Sequence, residues 1–69
     1  MKISARNQLK GKVKSINEGA INSEVIIELP GGALIASVIT KSSVESLGLK
    51  VGSTAYAIVK ASNVIVGVD

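Results

Sequence analysis

The segment Ser4–Gly11 contains the side chains of this sequence that are best suited to hold a ligand. Ser4 carries a hydroxyl, Arg6 a guanidinium with five N–H donors, and Asn7 and Gln8 an amide each. Almost every polar group here can donate a hydrogen bond, and Arg6 adds a positive charge. A basic chain end is usually only a solvated end, but this one would suit a negatively charged ligand that only accepts hydrogen bonds.

A second cluster of donors lies far along the chain, at Lys60-Ala61-Ser62. An ammonium, a hydroxyl and backbone N–H groups come together there after a predicted strand. Thr40 and Ser43 add two hydroxyls around the predicted start of a short helix, where free N–H groups and partial positive charge gather. Each residue alone is typical of a cap or a turn. The three donor-rich positions contain no acidic residue, and this favours an anion as the ligand.

The residue inventory excludes several kinds of site. The chain has no cysteine and no histidine, which rules out disulfides, zinc sites with thiolate or imidazole ligands, and His-based nucleophilic triads. The five carboxylates are scattered singly along 69 residues, so no nucleophile–base pair can be identified. The sequence therefore predicts a protein that is not an enzyme and holds neither an organic cofactor nor a metal ion bound by side chains.

Alternating apolar residues predict the elements that position these donors. The predicted strands are Gln8–Ile16, Asn22–Leu29, Ala33–Thr40, Thr54–Lys60 and Asn63–Val68. Leu9, Gly11, Val13 and Ser15 are expected on one face of the first strand. Pro30-Gly31-Gly32 predicts a hairpin between the second and third strands.

A short helix is predicted between the third and fourth strands. Ser42 and Glu45 fit a capping box at its start, and Gly48 stands where a glycine C-cap belongs. Five strands with one helix in this place indicate an all-β, five-stranded OB-like Greek-key barrel. A small SH3-like barrel is the alternative.

The length fits one domain, residues 1–69, near the size at which a single core is only marginally sufficient. Hydrophobic residues make up 46% of the chain, and the last three predicted strands are apolar on both faces. One small barrel cannot bury that much apolar surface, so we expect a homo-oligomer. No apolar run approaches the roughly 18 residues of a membrane span. The chain start lacks a signal-peptide core, and we expect a cytoplasmic protein without a membrane partner.

Single-stranded nucleic acid is the alternative ligand. The net charge is +3, and Lys10, Lys12 and Lys14 alternate along one face of the first strand. OB modules that bind single strands stack bases on aromatic side chains, and Tyr56 is the only aromatic residue in the chain. Nucleic acid is therefore the weaker prediction, and a pure assembly module that binds neither ligand is a third alternative.

Three segments carry a resemblance to a known family. Ser4–Gly11, Val38–Thr40 and Ala57–Ser62, the last followed by a valine-rich strand, resemble the molbindins. These are small molybdenum-pterin-binding-type (Mop) domains that bind molybdate and tungstate. The resemblance covers the whole chain as a single copy. It implies an OB-like barrel assembled as a hexamer, a trimer of dimers, that binds the oxyanion between subunits for intracellular storage or homeostasis of molybdenum.

Carried onto this sequence, the resemblance implies particular site residues. Ser4, Ala5 and Arg6 of one subunit would face Lys60, Ala61 and Ser62 of another, with Asn7 and Ser43 nearby and Thr40 as a further candidate. A second class of site near a threefold axis would use the loop Glu18–Ser23, that is Gly19, Ala20, Ile21 and Asn22. Molybdenum would be bound only as the oxyanion.

Selection among anions follows from hydrogen bonding and size. Molybdate and tungstate are tetrahedral dianions that only accept hydrogen bonds. A pocket lined by donors penalises hydrogenphosphate, whose proton needs an acceptor, because an unpaired buried group costs ~1–3 kcal/mol. Sulfate also only accepts hydrogen bonds, so it must be rejected by size, through the longer metal–oxygen bonds of the favoured ions.

Overall fold

One long strand, β1 (Asn7–Glu18), organises the fold because it pairs with two others. The computed structural model describes all 69 residues. The first half of β1 pairs with β4 (Thr54–Val59), and the second half pairs with β2 (Asn22–Glu28). β2 pairs in turn with β3 (Leu34–Thr40). All pairs are antiparallel, and the order across this curled, four-stranded sheet is β3-β2-β1-β4.

β1 can pair with two neighbours because of two local features, a glycine that lets β2 approach closely and a β-bulge. Gly11 is buried, and a Cβ added there would clash with the Glu28 carbonyl oxygen of β2. The pairing register shifts between Val13 and Ser15. After that shift Ile16 is half-buried and Ser15 is exposed. The prediction that Ser15 shares the inner face of β1 is therefore wrong, because an extra residue at a bulge reverses the alternation.

The core between the sheet and the helix is small. Only seven of 69 residues are buried. The buried apolar residues are Val13, Val25, Ile27, Val44 and Ala57. Ile16, Leu29, Ile35, Ile39, Leu49 and Ala55 pack against them and are partly buried. Much of the apolar content of the chain therefore remains on the outside, including Leu34 and Val38 of β3.

The helix α1 (Lys41–Ser46) follows β3 without a linker. Its N-cap is Thr40, whose Oγ1 accepts a hydrogen bond from the Ser43 N–H at 3.1 Å. The prediction of Ser42 as N-cap is therefore wrong, because extended backbone at Thr40 already places a hydroxyl over the first turn. The Ser42 hydroxyl lies 3.2 Å from Thr40 Oγ1 instead.

The end of α1 is capped by Gly48, as the sequence predicts. Gly48 has a φ of 63°, and its N–H donates to the Glu45 carbonyl at 3.0 Å. The Leu49 N–H donates to the Val44 carbonyl at 3.1 Å, which completes a Schellman motif around the predicted glycine. This short helix lays Val44 into the core and covers one end of the curled sheet.

The hairpin at Pro30–Gly32 is also present between β2 and β3, with φ of 95° at Gly31 and 97° at Gly32. The predicted fifth strand, Asn63–Val68, is not formed within this chain. Ala61–Asn63 forms a single 3₁₀ turn, and residues 64–69 extend from it without a strand partner. The structure thus has four strands, because β3 and β4 are sheet edges and nothing in this chain brings the last residues between them.

Candidate functional site

The two donor-rich chain ends meet at one end of the sheet. Asn7 at the start of β1 pairs with Val59 at the end of β4, which places the segment before β1 beside the segment after β4. Both segments line one shallow, open depression of about 600 Å³. The lining residues are Ile3, Ser4, Ala5, Arg6, Ile58, Lys60, Ala61, Ser62 and Asn63.

Six of the predicted oxyanion residues are therefore neighbours within a single chain. The resemblance implies that Ser4–Arg6 and Lys60–Ser62 face each other across a subunit boundary. In this structure the antiparallel pairing of β1 with β4 joins them without a second copy. Each chain by itself therefore carries a depression that contains both donor segments.

The chemistry of the depression is that of hydrogen-bond donors. It contains the guanidinium of Arg6, the ammonium of Lys60 and the hydroxyls of two serines, and no carboxylate lines it. One backbone acceptor is already in use, because the Gln8 Nε2 donates to the Ala5 carbonyl at 2.7 Å. Arg6 and Lys60 are both exposed, so an ion reaches them directly from solvent.

Backbone donors at Ala61 and Ser62 add to this set. The 3₁₀ turn is closed by the N–H groups of Asn63 and Val64, which donate to the Lys60 and Ala61 carbonyls at 2.8 and 3.3 Å. The first N–H groups of a helical turn have no partner within that turn. The N–H groups of Ala61 and Ser62 stand at the start of this turn and therefore have no partner within it. Both residues line the depression, so an anion there can accept hydrogen bonds from these groups.

Asn7 does not line the depression. It is the first residue of β1, is half-buried, and pairs with Val59. Its backbone supports the junction between the two donor segments, and its side-chain role as a ligand stays a prediction.

Thr40 and Ser43 lie at the opposite end of the sheet. Thr40 pairs with Asn22, and the Lys41 N–H donates to the Ile21 carbonyl at 2.8 Å. The 12 residues of β1 separate this end from the depression, at roughly 3.3 Å per residue. Within one chain these hydroxyls cannot contact an ion held by Lys60.

The hydroxyls at this far end also satisfy one another. Thr40 Oγ1 lies 2.7 Å from Ser43 Oγ and 3.2 Å from Ser42 Oγ, besides capping the Ser43 N–H. Their structural role as a helix cap is therefore clear. Binding by Ser43 or Thr40 requires a second copy of the chain to bring an anion to them.

The loop Gly19–Asn22, predicted as a second class of site, adjoins this cap. It reverses the chain tightly, since the Gly19 N–H donates to the Asn22 carbonyl at 2.8 Å. Ile21 at its tip is 75% exposed. Ser23, the next residue, is 1% exposed, and its hydroxyl has no hydrogen-bond partner.

Three lining residues were missed by the sequence analysis. Asn63 completes the turn that begins at Ala61, and contiguity with the Lys60–Ser62 cluster is the signal that would have included it. Ile58 precedes Lys60 by two positions and so shares its side of β4. Ile3 carries no comparable signal, because no element extends through the segment before β1.

Other kinds of site find little support. No group of three or more His, Cys, Asp or Glu side chains lies together in the structure. None of its helices combines the length and apolar character needed to cross a membrane.

Comparison with known proteins gives a consistent family. The TOBE domain model matches residues 3–66. The "Probable molybdenum-pterin-binding protein" of Haemophilus influenzae is 54% identical over 69 residues, all of both chains. The solved structure of MopII from Clostridium pasteurianum in an apo form has a TM-score of 0.92 at 46% identity, over 97% of this chain and all of that one.

A second solved structure is similar over every residue. The cytoplasmic molybdate-binding protein ModG, crystallised with molybdate bound, gives a TM-score of 0.96 at 54% identity over all of this chain and 49% of its own. The relatives are thus named for binding and not for catalysis, and the curled sheet with one short helix is that of Mop structures. The chain belongs to the TOBE domain family, among the molybdenum-pterin-binding (Mop) proteins.

Proposed function

We propose that this chain, as a single domain of residues 1–69, binds molybdate or tungstate as the intact oxyanion and stores or buffers it in the cytoplasm. The observation that carries the proposal is the depression shared by Ser4–Arg6 and Lys60–Ser62, which offers cationic and hydroxyl donors and no carboxylate. Relatives named for molybdenum or molybdate binding support it. No step of catalysis is proposed.

The donor set explains the choice of ion. A tetrahedral dianion can accept from the Arg6 fork, the Lys60 ammonium, the serine hydroxyls and the N–H groups that start the 3₁₀ turn. Hydrogenphosphate brings a proton that needs an acceptor, and no carboxylate lines the depression to take it. Sulfate is rejected by size, once the depression is closed around the ion.

Closure of the site requires a second copy of the chain. The depression is open, and the hydroxyls of Thr40 and Ser43 lie at the far end of their own chain. We therefore assign these two residues to a neighbouring subunit at the oxyanion site. The Gly19–Asn22 loop remains the candidate for the second class of site, between copies around a threefold axis.

The C-terminal segment supports a two-fold contact between copies. Ile65 and Val68 are 94% and 95% exposed, although four of the six residues in this segment, 64–69, are β-branched. β3 and β4 are the two edge strands of the curled sheet, and each has unpaired N–H and C=O groups along its free edge. A gap therefore lies between these two edges. The segment of one copy fills that gap in another and supplies the missing fifth strand. The reciprocal exchange gives a dimer, and three dimers give the proposed hexamer.

Titration calorimetry with molybdate, tungstate, sulfate and hydrogenphosphate tests the function. We expect tight binding of the first two ions and weak binding of the others. No heat with molybdate and tungstate, or equal affinity for sulfate, would refute the proposal. Tight, salt-sensitive binding of single-stranded oligonucleotides without oxyanion binding would support the nucleic-acid alternative instead.

A further inference from the structure

The donor segment Ser4–Arg6 is held to the rest of the chain by a single hydrogen bond. None of the backbone hydrogen bonds outside the strands and helices involves residues 1–6, and the pairing of β1 with β4 begins only at Asn7. Among the side chains, one hydrogen bond reaches this part of the chain, from Gln8 Nε2 to the Ala5 carbonyl at 2.7 Å. The order of the donor segment therefore depends on one amide.

Gln8 lies where it can serve both the segment and the depression. It is the second residue of β1 and pairs with Ile58 of β4. Directly paired residues of antiparallel strands project their side chains from the same face of the sheet, and Ile58 lines the depression. From that face the Gln8 amide turns back to Ala5, so its hydrogen bond closes a short loop that carries Arg6.

The hydrogen bond fixes the middle of the segment and leaves its donors free. Ala5 is half-buried, whereas Ser4 and Arg6 on either side of it are exposed. Only the Ala5 carbonyl, which is an acceptor, is used in the contact. The Ser4 hydroxyl and the Arg6 guanidinium therefore stay available to an anion in the depression.

We propose that Gln8 is a positioning residue of the oxyanion site, and that its hydrogen bond to Ala5 orders Ser4–Arg6 before an ion arrives. Fixing a loose backbone segment costs conformational entropy. If the segment became ordered only on binding, that cost would lower the affinity, and a bond that orders it in advance avoids the loss. This role rests on the proposed function, and it belongs to a residue that does not itself line the depression.

The chemistry of an amide suits this position. The Ala5 carbonyl needs a donor, and a glutamate of the same length would have no proton to give at neutral pH. A carboxylate would also offer Arg6 a competing anion beside the site. Glutamine supplies the donor without any charge, so it orders the segment and leaves the field of Arg6 and Lys60 unchanged.

Gln8→Met tests the role, because methionine keeps the length and the neutrality of the side chain and removes the donor. We expect molybdate binding by calorimetry to weaken about two- to twelve-fold, as the loss of one hydrogen bond between neutral groups predicts. Asn17→Met is the matched control, since Asn17 carries an amide at an exposed position near the other end of β1. It should leave the affinity unchanged, and circular dichroism checks that both variants fold.

A double-mutant cycle separates positioning from direct contact with the ion. If Gln8 acts through the donor segment, the effect of Gln8→Met should shrink in an Arg6→Ala background, because the donor that it positions is gone. The effect should stay full in a Lys60→Ala background, since Lys60 lies on the other segment. An amide that bound the ion itself would weaken binding by the same factor in both backgrounds.

Nitrogen-15 relaxation of the ligand-free protein measures the order directly. The heteronuclear NOE of the Ser4, Ala5 and Arg6 amides reports picosecond-to-nanosecond motion of the backbone. We expect high values in the wild type and in Asn17→Met, and lower values in Gln8→Met.

Three results would overturn the positioning role: an unchanged affinity of Gln8→Met, equal losses in the two backgrounds, or an NOE that does not respond to the substitution. If the wild type binds molybdate or tungstate, any of these results refutes the role of Gln8 alone. A wild type that binds neither ion would refute the proposed function, and with it the part of Gln8 in binding.

Discussion

Lys60 is the one ammonium in the depression, and it stands where β4 gives way to the 3₁₀ turn. Replacing Lys60 by Ala removes a charge-assisted hydrogen bond to the oxyanion. The expected loss is ~1.5–3 kcal/mol, or about ten- to two-hundred-fold in affinity by calorimetry. Lys14→Ala is the matched control, because Lys14 is exposed on β1 outside the depression. Equal effects of the two substitutions would contradict a direct role for Lys60.

Ser23 presents a buried hydroxyl without a partner, on the inner face of β2 beside Val25. Removing an unsatisfied buried group recovers its desolvation cost, which is ~1–3 kcal/mol. Ser23→Ala should therefore raise the free energy of unfolding in urea by about 1 kcal/mol. Ser15→Ala, at an exposed position of β1, should leave it unchanged. A less stable Ser23→Ala protein would indicate that the hydroxyl has a bonding partner in the native assembly.

At the scale of elements, close passage of β2 over β1 depends on Gly11. A methyl group there would meet the Glu28 carbonyl oxygen and, at 2.8 Å, the Ile27 Cγ2. We expect Gly11→Ala to destabilise the fold by ~1–3 kcal/mol in urea, as overpacking of a core usually does. Ser15→Ala is the control, since Ser15 is exposed on the same strand. An unchanged midpoint for Gly11→Ala would show that the two strands can separate locally.

The sequence predicts those elements that depend on local chemistry. Pro30–Gly32 and Gly48 are where expected, because positive φ favours glycine whatever the surroundings. The bulge near Val13 and the cap at Thr40 were not predicted. Both depend on how one strand is aligned with its neighbour and where β3 ends, and side-chain alternation alone does not encode that alignment.

At the scale of the molecule, the C-terminal segment connects fold and assembly. Ending the chain after Asn63 removes the β-branched residues that would fill the gap between β3 and β4 of a second copy. We expect light scattering to show loss of the hexamer, and calorimetry to show weaker molybdate binding, although Ser4–Arg6 and Lys60–Ser62 are retained. A truncated protein of unchanged mass would refute segment exchange.

Mixing variants identifies which donors come from a neighbour. A mixture of Lys60→Ala and Ser43→Ala chains contains interfaces with intact Lys60 on one side and intact Ser43 on the other, so tight sites should return after subunit exchange. A mixture of Lys60→Ala and Arg6→Ala chains should recover none, because both lesions fall in the same depression. Recovery in the second mixture would show that Arg6 and Lys60 act from different chains.

The sequence identified six of the lining residues, since hydroxyls and cations without nearby acids are visible in the sequence itself. It did not reveal that Ser4–Arg6 and Lys60–Ser62 meet within one chain. That juxtaposition arises because β1 pairs with β4, a contact between the two ends of the chain. Conversely, Thr40 and Ser43 were grouped with the site by chemistry, and only the 12-residue length of β1 shows that they need another copy.

Tyr56 gives this protein an intrinsic optical probe. It is the only aromatic residue in the chain, and it lies half-exposed on the outer side of β4. Without tryptophan, all tyrosine emission and all near-ultraviolet absorption of side chains come from this one position. Packing of a neighbouring copy would dehydrate and immobilise the ring, so emission intensity and anisotropy of the unlabelled wild type would follow assembly as it occurs, at concentrations too low for light scattering.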